Sequence, residues 1–144
     1  MKLYTLSELS LEDLLPHRDN MLLVDQVLAV DSTRAKTLAR VNRKWPFAQD
    51  EGVDPLILIE LAAQTAGVCN GWDRIHTQGL DSNQMGWLVG IKKAEIDVGP
   101  LPYDAPIIST AENTHVFENL RETACEVFMD DVRVATIILQ LFQA

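Results

Sequence analysis

At 144 residues the chain fits a single domain, residues 1–144, large enough to bury a core. Its 47% hydrophobic and 23% charged content is that of an ordinary globular protein. The net charge of −9 argues against a nucleic-acid partner, because neutralising phosphates needs a basic face.

No apolar run is long enough to cross a bilayer, so no membrane span is expected. The start, MKLYTLSELSLEDLL, carries acidic residues where a secretory signal would be uninterruptedly apolar. Cys69 and Cys125 lack metal-ligand spacing and read as reduced packing residues, which points to a cytoplasmic protein with neither metal nor other cofactor.

Taken in order, Ser7 or Ser10 can cap a short helix through Leu15, which Pro16 ends. Met21 to Val30 reads as a strand, Asp31-Ser32 as a turn, and Ala35 to Val41 as the returning strand of a hairpin. Trp45-Pro46-Phe47 and a short acidic loop follow. Asp54 and Pro55 then supply the N-cap and first turn of a helix, Leu56 to Trp72, read as LILIELAAQTAGVCNGW. A polar linker, Asp73 to Gln84, separates this helix from an all-strand second half. Its strands are Gly86 to Asp97, Ile107 to Phe117, Thr123 to Met129 and Val132 to Phe142, with turns at Glu118-Asn119 and Asp130-Asp131.

The helix is apolar on nearly every side and so belongs inside the domain. The simplest way to bury it is for the antiparallel sheet to wrap around it, an α+β layout. The last strand is apolar on both faces, with Val132, Val134, Ile138 and Phe142 on one and Ala135, Ile137, Leu139 and Leu141 on the other. A sheet covered twice, with only one helix to cover it, predicts a second subunit.

Within the helix, Glu60 and Gln64 lie one turn apart, with Gly67 a further turn along. A buried carboxylate needs a partner or a task. A satisfied polar pair capping a neighbouring strand or crossing a subunit interface is one reading, and an active site is the other.

Three segments carry a family resemblance. LLPHRDNMLLVDQVLAVD, LILIELAAQTAGV and GWLVGIKKAEI resemble, in that order, the start, central helix and following strand of the hotdog-fold 3-hydroxyacyl-carrier-protein dehydratases. The similarity is strongest to the divergent branch associated with aryl polyene and related lipid pathways. It implies a sheet wrapped around one long central helix and a dimer with acyl-thioester sites at its interface. The substrate would arrive on acyl carrier protein, with a coenzyme A thioester as the other carrier.

The chemistry so implied needs a base for the α-proton, an acid for the leaving hydroxyl and donors for an enolate oxygen. Glu60 matches the family's helix carboxylate and Gln64 the glutamine one turn later, with Gly67 beside them. Burial predicts a protonated Glu60, suited to act as acid. Backbone N–H groups at the helix start are the expected oxyanion donors.

The family's histidine, in a Gly-His-Phe-Pro-Gly stretch before the helix, is missing. The chain there reads PFAQDEGVDP, about five residues shorter, a gap that helix register implies, and Glu51 is the nearest positional equivalent. Of the three histidines, His76 reads as a solvated linker residue and His115 as a strand residue. His17, in the LLPHRDNM segment, either orients its loop or has taken over as base, since imidazole is poised for proton transfer at neutral pH. Arg18 and Asp19 could form a local ion pair. Trp45, Phe47, Trp72 and Trp87 read either as core or as the lining of an acyl tunnel. Lys92 and Lys93 read either as solvent-facing or as a contact for an acidic carrier protein.

Three functions fit these residues: a 3-hydroxyacyl thioester dehydratase with Glu60 as acid and His17 as base; an acyl thioesterase on the same fold; and a non-catalytic subunit in a heterodimer with a sister hotdog chain. A homo-oligomer is the alternative assembly.

Overall fold

The structure, a computed structural model, describes residues 3–144. Ser10 caps the short helix α1 (Leu11–Leu14): its hydroxyl accepts from the Asp13 N–H at 3.1 Å, and Asp13 accepts the Ser10 N–H at 2.8 Å. This reciprocal pair satisfies two N–H groups that a helix start leaves open. The chain then runs extended through Leu15–Pro16 to a single turn at Asp19–Met21.

Strands β1 (Gln26–Val30) and β2 (Arg34–Arg40) form the first hairpin. Helix α2 (Ile57–Gln78) follows, then β3 (Gly86–Ile96), β4 (Pro106–Phe117), β5 (Leu120–Met129) and β6 (Val132–Gln143). The six strands form one antiparallel sheet in the order β1-β2-β4-β5-β6-β3. It curls around α2, whose Leu58, Leu61, Ala62 and Ala66 meet Ile107, Val127, Ile137 and Leu139 in a fully buried core. This is the expected hotdog arrangement. The two tight turns fall at Glu118-Asn119 and Asp130-Asp131, as expected. Glu118, Asp130 and Asp131 take φ of 53°, 52° and 62°, the left-handed values that two-residue hairpins demand.

Three expectations need correction. Ladder pairing begins at Gln26, not Met21, because the buried Gln64 side chain captures the Met21 carbonyl and the Leu23 N–H, removing them from any sheet. Helix α2 runs to Gln78, so half of the supposed linker is helical. His76 is therefore not a solvated linker residue. Its Nδ1 lies 2.7 Å from the Trp72 carbonyl, its Nε2 accepts from the Tyr4 N–H at 3.1 Å, and its ring stacks on Trp72 at 4.3 Å. A helix is predicted to stop where polarity begins, but here the polar residues Asp73 and Arg74 are held inside.

Strand β6 is covered by α2 on its inner face; of the residues expected on the other face, Val134 is buried, and Val132 and Phe142 keep exposed surface. The longer uncovered apolar surface is β3. It pairs only with β6, and its Trp87, Val89 and Ile91 are 48%, 56% and 49% exposed. Among the described residues no helix is long and apolar enough to cross a membrane.

Candidate active site

Three of the four residues singled out in the sequence converge on one hydrogen-bonded group. Gln64, fully buried, accepts from the Leu23 N–H at 2.9 Å and donates to the Met21 carbonyl at 2.7 Å. The same amide donates to Glu60 Oε1 at 3.0 Å, and His17 Nε2 reaches that oxygen at 3.1 Å. Helical spacing brings Glu60 and Gln64 together. His17 arrives from 43 residues away, on the extended segment after α1.

The side chains of His17 and Glu60 remain 29% and 34% exposed, both facing a cleft. This cleft, a cavity of about 180 Å³, runs along α2 past Ala63, Gly67 and Gly71 to Asn70 and Arg74. Leu14, Leu15 and Pro16 wall one side, and Trp87, Leu88 and Phe142 another.

Burial pushes the Glu60 carboxyl up, as expected, but the outcome is the reverse of the protonated acid foreseen. The hydrogen bonds from His17 and then Gln64, with a further electrostatic pull from His17, outweigh burial and hold it below the ordinary carboxylate range. Glu60 is thus a carboxylate, and Oε1 already accepts two donors. The His17 nitrogen facing it is accordingly Nε2–H. His17 Nδ1 is enclosed and has no hydrogen-bond partner among the described residues.

The helix start does not offer the expected oxyanion donors. The N–H groups of Ile57, Leu58 and Ile59 donate to the carbonyls of Asp54, Pro55 and Leu56 at 3.1, 3.0 and 3.1 Å. Asp54 accepts the Leu56 N–H at 2.9 Å in the turn before the helix, but the N-cap of α2 is Leu56 rather than the predicted Asp54. Glu51 stands on an exposed loop and does not line the cleft. Trp87 does line it, whereas Trp45 is core. Lys92 pairs with Glu122 at 3.2 Å and Lys93 with Glu95 at 3.5 Å. Burial raises both thiols, Cys69 and Cys125, to about 12, so neither is nucleophilic. No cluster of three metal-ligating side chains occurs among the described residues.

Sequence reasoning missed the far end of the cleft, where Asn70, Arg74 and Gln84 stand. The signal was available: Glu60, Ala63, Gly67, Gly71 and Arg74 recur at three- and four-residue steps, one face of one helix.

Residues 9–144 match the family of ApeP-like proteins, described as ApeP dehydratase. The chain belongs to the ApeP-like dehydratase family. Among solved structures, it superposes on a chain of the dehydratase heterocomplex ApeI:P from Xenorhabdus doucetiae with a TM-score of 0.85 at 24% identity, covering 94% of this chain and 91% of that one. The PaaI protein of the E. coli phenylacetic acid degradation operon gives 0.63 at 13% identity, covering 82% of each chain. A hypothetical thioesterase protein with coenzyme A from Streptococcus pneumoniae gives 0.61 at 10% identity, covering 81% of this chain and 83% of that one. These likenesses carry the hotdog fold. No curated protein matches the chain.

Proposed function

We propose that this ApeP-like dehydratase removes water from a 3-hydroxyacyl thioester and that Glu60 carries the proton. One observation bears most weight: a carboxylate tethered through Oε1 to His17 and Gln64 and facing a cleft walled on two sides by Leu14, Leu15, Trp87 and Leu88. Oε2 accepts no hydrogen bond from the described residues and is left for substrate.

In the reaction, Oε2 takes the proton from the carbon beside the thioester carbonyl. The electron pair released forms the double bond as the C3–O bond breaks. The protonated Glu60 then gives its proton to the departing hydroxyl, which leaves as water, and the carboxylate is restored. His17 holds Glu60 through Nε2–H. With its other nitrogen enclosed, it presents no lone pair to the cleft, so the base role considered for it passes to Glu60.

The substrate carrier is acyl carrier protein, and the working assembly is a heterodimer with a sister hotdog chain across β3. Support comes from the unpaired, apolar β3 edge and from the heterocomplex named for the structure to which this chain is similar.

The test is mass-spectrometric turnover of a medium-chain 3-hydroxyacyl thioester on acyl carrier protein, with the chain alone and with a sister subunit. Loss of one water, abolished by Glu60→Gln, is the expected result. Release of free acid would make the protein a thioesterase and overturn the reading. No turnover by well-folded protein in either sample would overturn it equally.

A further inference from the structure

The wall of the cleft that carries His17 is a strap, residues 12–18, made of the end of α1 and the extended segment after it, running antiparallel to α2. Its register against the helix is regular: Asp13 lies at Arg74, Leu14 at Gly71, Leu15 at Gly67 and His17 at Glu60. These helix positions fall three, four and seven residues apart on one face, so the strap advances roughly one residue per helical turn at first.

Two glycines let it lie so close. A Cβ on Gly71 would stand 2.1 Å from the Leu14 carbonyl oxygen, and one on Gly67 would stand 2.8 Å from Leu15 Cδ2. At its far end the strap is tied by Arg74, which donates to the Asp13 carbonyl at 2.8 Å, and by Gln84, which donates to the Glu12 and Asp13 carbonyls at 2.9 and 3.0 Å. Arg18 binds the strap to itself through the Leu15, His17 and Glu12 carbonyls.

Arg74 is the odd member. It is 2% exposed, yet among the described residues its guanidinium meets no carboxylate within ion-pair distance. Its other donors go to the Ser82 carbonyl at 3.2 Å and the Ser82 hydroxyl at 2.7 Å. Burial pulls its pKa down, with Asp13 working weakly the other way. A charge enclosed among carbonyls and a hydroxyl is an expensive way to fill space, and an apolar side chain of similar volume often serves stability as well or better.

We propose that Arg74 is a positioning residue for the active site: by fixing Asp13 it sets the register of the strap and so holds His17 Nε2 on Glu60. It acts through His17, about fourteen residues and 21 Å along α2 from Glu60 by helical rise. The inference rests on the Glu60–His17 reading of the reaction, and its test includes a readout independent of turnover.

The variant is Arg74→Met in the full chain, assayed with the partner if the wild type needs one. Asp13 O keeps Gln84 as a donor, so the melting temperature should stay within about 3 °C of wild type. The expected result is a fall in kcat of about 100-fold with KM held, since a misplacement near 1 Å has that effect. In a His17→Ala background Arg74→Met should then cost nothing more. Separately, the long-range 1H–15N spectrum of the imidazole should show a single Nε2–H form of His17 in the wild type and lose that signature in the variant.

A rise in KM with kcat held would mean that Arg74 touches substrate and would overturn the proposal. So would an equal loss in the His17→Ala background, or an unchanged imidazole spectrum. If the wild type dehydrates nothing, the reading of the reaction fails, and the imidazole spectrum alone decides the positioning role. If Arg74→Met does not fold, Arg74→Lys is read by the same criteria.

Discussion

Replacing Gly71 with alanine tests whether the strap governs the site. The new Cβ would lie 2.1 Å from the Leu14 carbonyl oxygen, 3.0 Å from its carbon and 3.1 Å from its Cα. All three are backbone atoms, with no rotamer to turn away. Restoring an ordinary carbon–oxygen contact of about 3.3 Å requires the strap to retreat by about 1.2 Å. Leu14 is only three residues from His17, so most of this shift reaches the His17–Glu60 hydrogen bond, now 3.1 Å. A displacement of that size costs on the order of 100-fold in rate, about 2.7 kcal/mol of barrier.

Stability should suffer less. Overpacking costs about 1–3 kcal/mol, and the better helix propensity of alanine returns about 1 kcal/mol. Gly67→Ala is the internal control. Its Cβ meets only the rotatable Leu15 Cδ2, so the helix gains propensity and the melting temperature holds or rises. The assay is steady-state dehydration beside thermal unfolding for both variants. If Gly71→Ala keeps its rate within about threefold of wild type, the strap does not position His17. If both variants lose rate equally, narrowing of the cleft is the cause and the argument from register fails.

Other outcomes follow from the same network. Glu60→Gln should abolish turnover with the fold intact, whereas His17→Ala should leave a residual rate, both read by mass spectrometry of the acyl product; equal losses would return the proton to His17. Gln64→Leu strips partners from the Met21 carbonyl and the Leu23 N–H, at about 1–3 kcal/mol each, so urea unfolding should show a loss of about 2–6 kcal/mol. Because the folded Glu60 carboxyl is depressed, its stabilisation is complete above the unfolded carboxylate's pKa of about 4.3 and fades as pH falls through the lower folded value. The stability difference between wild type and Glu60→Gln should therefore shrink on acidification below about pH 4, measured by urea titration.

Periodicity and turn chemistry make most of the architecture readable in the sequence. Apolar runs in residues 86–143, broken by Glu118-Asn119 and Asp130-Asp131, mark strands and hairpins, because short polar side chains suit the tight turns between strands. Glu60 and Gln64 announce themselves by being polar within an apolar helix. Side-chain capture of main chain leaves no such mark. Nothing in Met21-Leu22-Leu23 says that Gln64 will take its polar groups, so the strand is read too long. His17 was a candidate through its chemistry and its place in the LLPHRDNM segment, and its register on α2 depends on the close approach of the Leu14 backbone to Gly71, which only packing reveals. Asp73, Arg74 and His76 look solvated because polarity normally reports solvent, and here hydrogen bonding inside the fold replaces it.

The uncovered β3 edge has a colloidal consequence. An eleven-residue edge with exposed Trp87, Val89 and Ile91 favours pairing with any other open strand, and its two bulges and the charges of Lys92, Lys93 and Glu95 only partly blunt it. The shared charge of −9 opposes that pairing between identical chains. That repulsion reaches about 10 Å at 0.1 M salt and about 3 Å at 1 M, while apolar attraction does not weaken with salt. Unpartnered protein will therefore stay dispersed in dilute buffer and associate as salt is raised, the opposite of a surface held together by ion pairs.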